Sequence, residues 1–103
     1  MSGKVKSIVQ LDEDRCFLCG TPARWDDPLD THHCFGGALR KKSDREGLTV
    51  KLHHITCHQF SPSAVHNNKG NMLYVKQQAQ IAWQDYYGRT TKEFIQEYGK
   101  NYL

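Results

Sequence analysis

DTHHCFGGALRKKSDREGLTVKLHHITCH, residues 30–58, carries five of the six histidines and two of the four cysteines of this chain. Within it, Leu48–Leu52 (LTVKL) alternates apolar and polar residues, the period of a half-buried strand. Thr31–Phe35 is short enough to be extended, and Gly36-Gly37 and Gly47 punctuate the stretch between. The two segments are expected to pair as a hairpin joined by a long basic loop. His54–Gln59 follows as the start of a helix. The order strand, strand, helix predicts a small α+β fold.

Working toward the N-terminus, Thr21–Asp30 reads as loop, and Cys16-Phe-Leu-Cys19-Gly20 as a tight knuckle closed by glycine. Leu11–Arg15 is an acidic turn, and Lys4–Gln10 (KVKSIVQ) partly alternates and is expected to be a short strand. In the other direction, Ser61-Pro62-Ser63 interrupts the helix start and Asn67–Asn71 reads as another loop. Met72, Val75, Ala79, Ala82 and Tyr86 then form a helical apolar stripe ended by Gly88. Thr90-Thr-Lys-Glu93 matches a capping box, opening a last helix that stops at Gly99. Residues 1–103 form one domain, with knuckle and core over about 16–70 and a two-helix extension over about 72–103.

Only 38% of the 103 residues are hydrophobic, so the core is modest and a metal staple is expected. No run of 18 apolar residues exists, which excludes a membrane-spanning helix. Met1–Gln10 lacks the apolar region of a secretory signal, so the expectation is a cytoplasmic protein with no membrane partner. Cysteines in that compartment are thiols, better read as metal ligands than as disulfides. The net charge is +3, and Arg40, Lys41, Lys42, Arg45 and Lys51 outweigh Asp44 and Glu46 directly after the His32-His33 pair. That placement suits a polyanion.

The histidines and cysteines divide into two sets. Cys16-x-x-Cys19 is a zinc half-site, and His54-x-x-Cys57 has the same spacing, giving a closed Cys₃His structural site. His53 in place of His54 is the second choice; a reduced, unliganded turn or a redox pair is the alternative to zinc. A thioredoxin-like pair would need a βαβ setting, which this sequence lacks. His32, His33, His58 and His66 make the other set. Adjacent strand side chains point to opposite faces, so His32 and His33 have different roles. His66 lies beyond Pro62, and a loop must return it to the others.

Asp30-Thr-His32-His33, the basic loop, Leu48–Leu52 and Cys57-His58 together resemble the core of HNH (ββα-metal) nucleases, and Cys16–Cys19 resembles the knuckle of their zinc-stapled members. A closer likeness is to small phage and prophage proteins related to Ref-type, recombination-associated HNH nucleases. It is carried by His32-His33-x-Phe35-Gly36-Gly37, Arg40-Lys41-Lys42-Ser43, Gly47-Leu48, Cys57-His58, Val65-His66-Asn67 and the closing Phe94 to Leu103, spanning roughly residues 16–103. The resemblance implies a zinc-stapled, treble-clef-like ββα-metal core and a metal-dependent endonuclease hydrolysing DNA phosphodiester bonds. It also implies a divalent cation (Mg, Mn, Ni or Zn) besides the structural zinc, a phage-encoded protein in a bacterial cytoplasm, and a recombinase as partner. By residue, His33 resembles the general base, since imidazole titrates near neutral pH. His32, His58 and His66 resemble the catalytic metal ligands. Arg40, Lys41 and Lys42 would hold flanking phosphates.

The sequence departs from the family at the middle Asn, where Glu46-Gly47 stands; Asn67 or Asn68 is a substitute. That departure keeps a second reading open: a non-catalytic, zinc-stapled nucleic-acid-binding protein on the same scaffold. A zinc protein that binds another protein is a third. Trp25 and Phe35 are expected in the core, as are Trp83, Tyr86 and Tyr87. Cys34 has no partner by spacing and reads as a small buried residue.

Overall fold

The computed structural model describes residues 6–103. Its element order is β1 (Leu29–His33), α1 (Arg40–Arg45), β2 (Thr49–His53), a π-helical turn (His54–Gln59), α2 (Lys69–Tyr87) and α3 (Thr91–Tyr98). The fold is α+β, with β1 and β2 antiparallel in the register His32 opposite Val50 and Asp30 opposite Leu52. The expected hairpin is therefore present, displaced by two residues at the start of β1 and one at the start of β2. Its basic connection is not a loop: Gly37–Leu39 makes a 3₁₀ turn and Arg40–Arg45 a helix. Straight-chain Arg and Lys favour helix once a turn is nucleated. Buried Ser43 ties the hairpin ends together, accepting from Phe35 N–H (3.3 Å) and donating to Leu48 O (2.6 Å).

Leu48, Val50 and Leu52 point into the core, as their alternation requires. Thr49 and His53, on the other face, are buried as well. The N-terminal segment runs along the edge of β2: Ile8 N–H donates to Gly47 O (2.9 Å), Ser7 Oγ to Thr49 O (2.5 Å), and Gln10 Oε1 accepts from Lys51 N–H (2.7 Å). Side-chain pairing thus covers an edge that would otherwise be open. Of the strand expected over Lys4–Gln10, Lys4 and Val5 lie outside the described residues. Lys6–Gln10 is loop and bend, because Ser7 Oγ takes the Val9 and Gln10 N–H groups.

Helix α2 begins at Lys69, inside the expected Asn67–Asn71 loop, because Asn68 caps it by accepting from Asn71 N–H. Its buried residues are Val75, Ala79, Gln80 and Trp83, so the stripe turns onto Trp83 rather than Ala82 and Tyr86, and Tyr86 is exposed. The cause is Glu46, whose carboxylate accepts from the Trp83 indole (3.0 Å) and the Tyr98 hydroxyl (2.5 Å) while its carbonyl accepts from Tyr87 (3.0 Å). The capping box of Thr90 and Glu93 opens α3, and Gly88 and Gly99 end α2 and α3. Phe35, Phe94 and Tyr98 stack at 4.8–5.6 Å between hairpin and helices. Trp25, expected in the core, is 96% exposed. It sits at the tip of the Arg24–Asp27 turn, whose inward position belongs to Asp27. No helix among the described residues is long and apolar enough to cross a membrane.

Glu46 thereby ties the end of α1 to both α2 and α3. Replacing it by Ala leaves the buried Trp83 and Tyr98 donors without an acceptor, at about 1–3 kcal/mol each. The expected result for E46A is a melting temperature lower by roughly 10–20 °C, read by thermal denaturation of the zinc-loaded protein. An unchanged melt would show that these bonds are replaced by water at no cost.

Candidate metal centres

Gly20, at φ +75°, closes the knuckle: its N–H donates to Cys16 O and Cys16 N–H donates to Thr21 O (both 2.9 Å). Phe17 N–H donates to Lys51 O (2.7 Å), which sets the knuckle against β2. There Cys16, Cys19, His53 and Cys57 bring ligand atoms within 4.8 Å of one another. His53 replaces the expected His54. Period two along β2 places His53 on the same face as Thr49 and Lys51, whereas His54 starts the helical turn and faces Asp30, at 2.5 Å. The His53 ring is oriented for ligation: Nε2–H donates to Pro22 O (2.8 Å), leaving Nδ1 3.2 Å from Cys19 Sγ.

The thiol chemistry fits a cation. Burial works against ionisation of Cys19, but hydrogen bonds from Thr21, Cys16 and His53 outweigh it and bring the thiol down to about 6. Cys57 is pushed up to about 12 by burial and by its cysteine neighbours. Crowded groups of like charge split their titrations in this way, and a divalent cation removes the conflict. Three thiols and an imidazole are a zinc donor set.

The second cluster is made by the same turn. Asp27, missed in the sequence, is buried and accepts from Ile55 N–H (2.7 Å), Thr56 N–H (3.2 Å) and Thr56 Oγ (2.8 Å), capping the turn that carries Cys57 and His58. Phe60 N–H reaches Ile55 O (3.0 Å), the wide π-type spacing. Val65 N–H then donates to Cys57 O (2.8 Å) and His66 N–H to His58 O (3.3 Å), so the loop through Pro62 returns His66 to His58. Asn67 holds that loop through Gln59 O and Ser61 O and Asn68 caps α2, so neither turns toward His33.

His32, His58 and His66 converge with ligand atoms within 4.8 Å. Nε2 of His58 and His66 are 3.2 Å apart. Asp30, quoted in the sequence motif but given no role there, shares the face of His32 and lies 2.9 Å from His58 Nδ1. A carboxylate behind an imidazole fixes its tautomer and turns the other nitrogen outward. Burial raises the Asp30 carboxyl, but bonds from His58 and His54 bring it below its ordinary value. His32 Nε2 is buried without a hydrogen-bond partner among the described residues. Burial first, then the neighbouring His58 and His66, hold His32 down to about 3, so its nitrogen keeps a lone pair. A buried, unpartnered imidazole nitrogen facing two further imidazoles fits a divalent cation.

His33 lies on the opposite face of β1, yet it lines the same two recesses as His32 and His66, with Nε2 3.5 Å from Asp44. Of the three basic residues expected at substrate, Arg40 lines the recess and Lys41 is exposed, whereas Lys42 is engaged by Glu97 and Glu46. Cys34 is buried, and burial pushes its thiol up, so it is inert as a nucleophile. No known family, curated protein or solved structure matches the chain.

Asp30 gives a direct test of the cluster. Asp30→Asn is expected to weaken divalent-cation binding at His32, His58 and His66 about 10- to 100-fold while zinc content stays constant. Calorimetric titration of the zinc-loaded protein reads both sites; unchanged affinity would remove Asp30 from its supporting role.

Proposed function

We propose that this chain is a metal-dependent endonuclease acting on DNA phosphodiester bonds, with a zinc-stapled, treble-clef-like ββα-metal core. The observation that carries the reading is the convergence of His32, His58 and His66 around an unpartnered buried Nε2, backed by Asp30 and bordered by His33. The structural zinc alone requires none of these four histidines.

A bound divalent cation supplies Lewis-acid polarisation of the scissile phosphate and charge neutralisation at the leaving oxygen. His33 takes the proton of the attacking water, its ring held with Nε2 3.5 Å from Asp44. Arg40, on the same recess, holds a phosphate oxygen. Glu46 and Gly47 stand where the likeness expects an Asn, and a side chain at Gly47 would be crowded. Gly47 has φ +78°, and a Cβ there would lie 2.7 Å from Lys6 O. Ser43 bridges the hairpin ends instead. The likeness to phage-encoded, recombination-associated nucleases supports a bacterial cytoplasmic setting with a recombinase as partner.

Supercoiled plasmid incubated with the zinc-loaded protein and Mg²⁺, Mn²⁺, Ni²⁺ or Zn²⁺ in turn is expected to become nicked with at least one cation and to stay intact without. Glu46-Gly47 at the Asn position favours a second reading, a non-catalytic nucleic-acid-binding protein. Plasmid binding with no nicking by any cation carries that reading instead.

A further inference from the structure

The recess over the histidines does not end at them. A cavity of about 300 Å³ is lined by His32, His33, His66, Met72 and Lys76. It shares His66, Met72 and Lys76 with a groove of about 550 Å³ along the start of α2, whose further walls include Lys69, Leu73, Lys100 and Tyr102. On the other side, a recess of about 260 Å³ shares His32, His33 and His66 and reaches Arg40. Arg40, the histidines, Lys76, and then Lys69 and Lys100 thus line adjoining hollows. Among the described residues no carboxylate side chain lines any of the three.

The lysines are placed by the fold. Lys76 Nζ and Lys100 Nζ sit over the Tyr102 ring at 5.4 and 5.3 Å. Tyr102 is itself fixed to α2: its N–H donates to Gln80 Oε1 (2.8 Å) and its carbonyl accepts from Gln77 (2.9 Å). Fully buried Gln80 also binds Asn101, so the closing residues are a built wall. Unlike Lys42 and Arg89, which are salt-bridged, Lys69, Lys76 and Lys100 pair with no carboxylate among the described residues. Val65, Met72 and Leu73 provide apolar lining between them.

Cationic walls with an apolar floor match a chain that alternates phosphates with flat bases. A duplex is read by elements that protrude into its grooves. This surface is concave, the shape that tracks a single strand. We propose that the groove from Lys69 and Lys100 to Lys76 is a binding track for single-stranded nucleic acid, leading one phosphodiester to the His32–His58–His66 cluster. Only the final clause rests on the nuclease reading; strand binding stands without it.

The test is fluorescence anisotropy of a labelled oligothymidylate with zinc-loaded His33→Ala protein, titrated with salt. Replacing Lys69, Lys76 and Lys100 together by Gln is expected to flatten the slope of log K against log salt by about 2, at about 0.7 per phosphate contact. Lys92→Gln, on exposed α3 outside the groove, leaves the slope unchanged. If the triple variant fails to hold zinc, Lys69→Gln reads the effect of one contact, a slope change of about 0.7, since Lys69 makes no side-chain hydrogen bond or ion pair among the described residues and is exposed. An unchanged slope in the lysine variants overturns the track even if plasmid is nicked. Weakened binding in a protein that never nicks supports the track and defeats only the catalysis. Equal competition by polyglutamate overturns it in favour of an acidic peptide.

Discussion

Removing the metal from Cys16, Cys19, His53 and Cys57 is expected to unfold the protein. Those four residues join two distant pieces of chain: the knuckle, and the continuous stretch that runs from the end of β2 into the helical turn. The knuckle is held besides by the Phe17–Lys51 bond, the Gln10 side chain, the stacking of Phe17 on Tyr74 and the packing of Phe17 and Leu18 on the core. Structural zinc sites contribute about 10–16 kcal/mol of apparent binding energy at neutral pH, against a total stability of about 5–15 kcal/mol for a domain. One zinc per chain is therefore expected by elemental analysis, and a strong chelator should abolish the circular-dichroism signal of the folded state. Cys16→Ser and Cys57→Ser should do the same. His53→Ala should lose zinc, while His54→Ala, partly exposed and facing Asp30, should retain zinc and fold. A fully folded protein purified without metal would refute the staple. Zinc lost from His54→Ala but kept by His53→Ala would refute the ligand assignment.

Replacing His33 by Ala should leave an intact protein that binds cation and DNA but does not cut. A positioned general base is worth about 10²- to 10⁴-fold in rate. Among the described residues, His33 has no place in the ligating atoms of either cluster, and its charged contact is with Asp44. Its loss should therefore fall on turnover. His32→Ala separates the two roles. It removes a ligand on the core-facing side of β1, so cation affinity should fall together with cleavage while zinc stays in place. Nicking rate and calorimetric cation binding, measured on both variants, distinguish base from ligand. Equal nicking by His33→Ala and the unaltered protein would remove His33 from the mechanism.

Local patterns in the chain carried much of this structure. Alternation in LTVKL placed β2, and Thr90 with Glu93 placed the start of α3, because strand period and capping depend on neighbours a few residues away. Crowding of His and Cys pointed to metal for the same reason. Contacts between distant segments escaped. Nothing near Asp27 or Asp30 marks them as the cap of the helical turn and the partner of His58, since their partners lie 24–29 residues on. The stripe of α2 turned onto Trp83 because Glu46, far away in sequence, holds its indole. Trp25 was misplaced because hydrophobicity says nothing of which turn residue must face inward.

By itself, the sequence determined that the chain carries two groups of candidate ligands, that a hairpin and a helical turn carry most of them, and that two helices follow. Tertiary structure alone decided that His53 and not His54 completes the cysteine site, that His66 returns to His58 through the Val65–Cys57 pairing, and that Lys42 is tied to Glu97. The physical reason is one of register. Spacing states which residues lie near each other along the chain. Which of two adjacent histidines faces which metal depends on the strand's alternation relative to a wall that exists only once the knuckle has closed on β2.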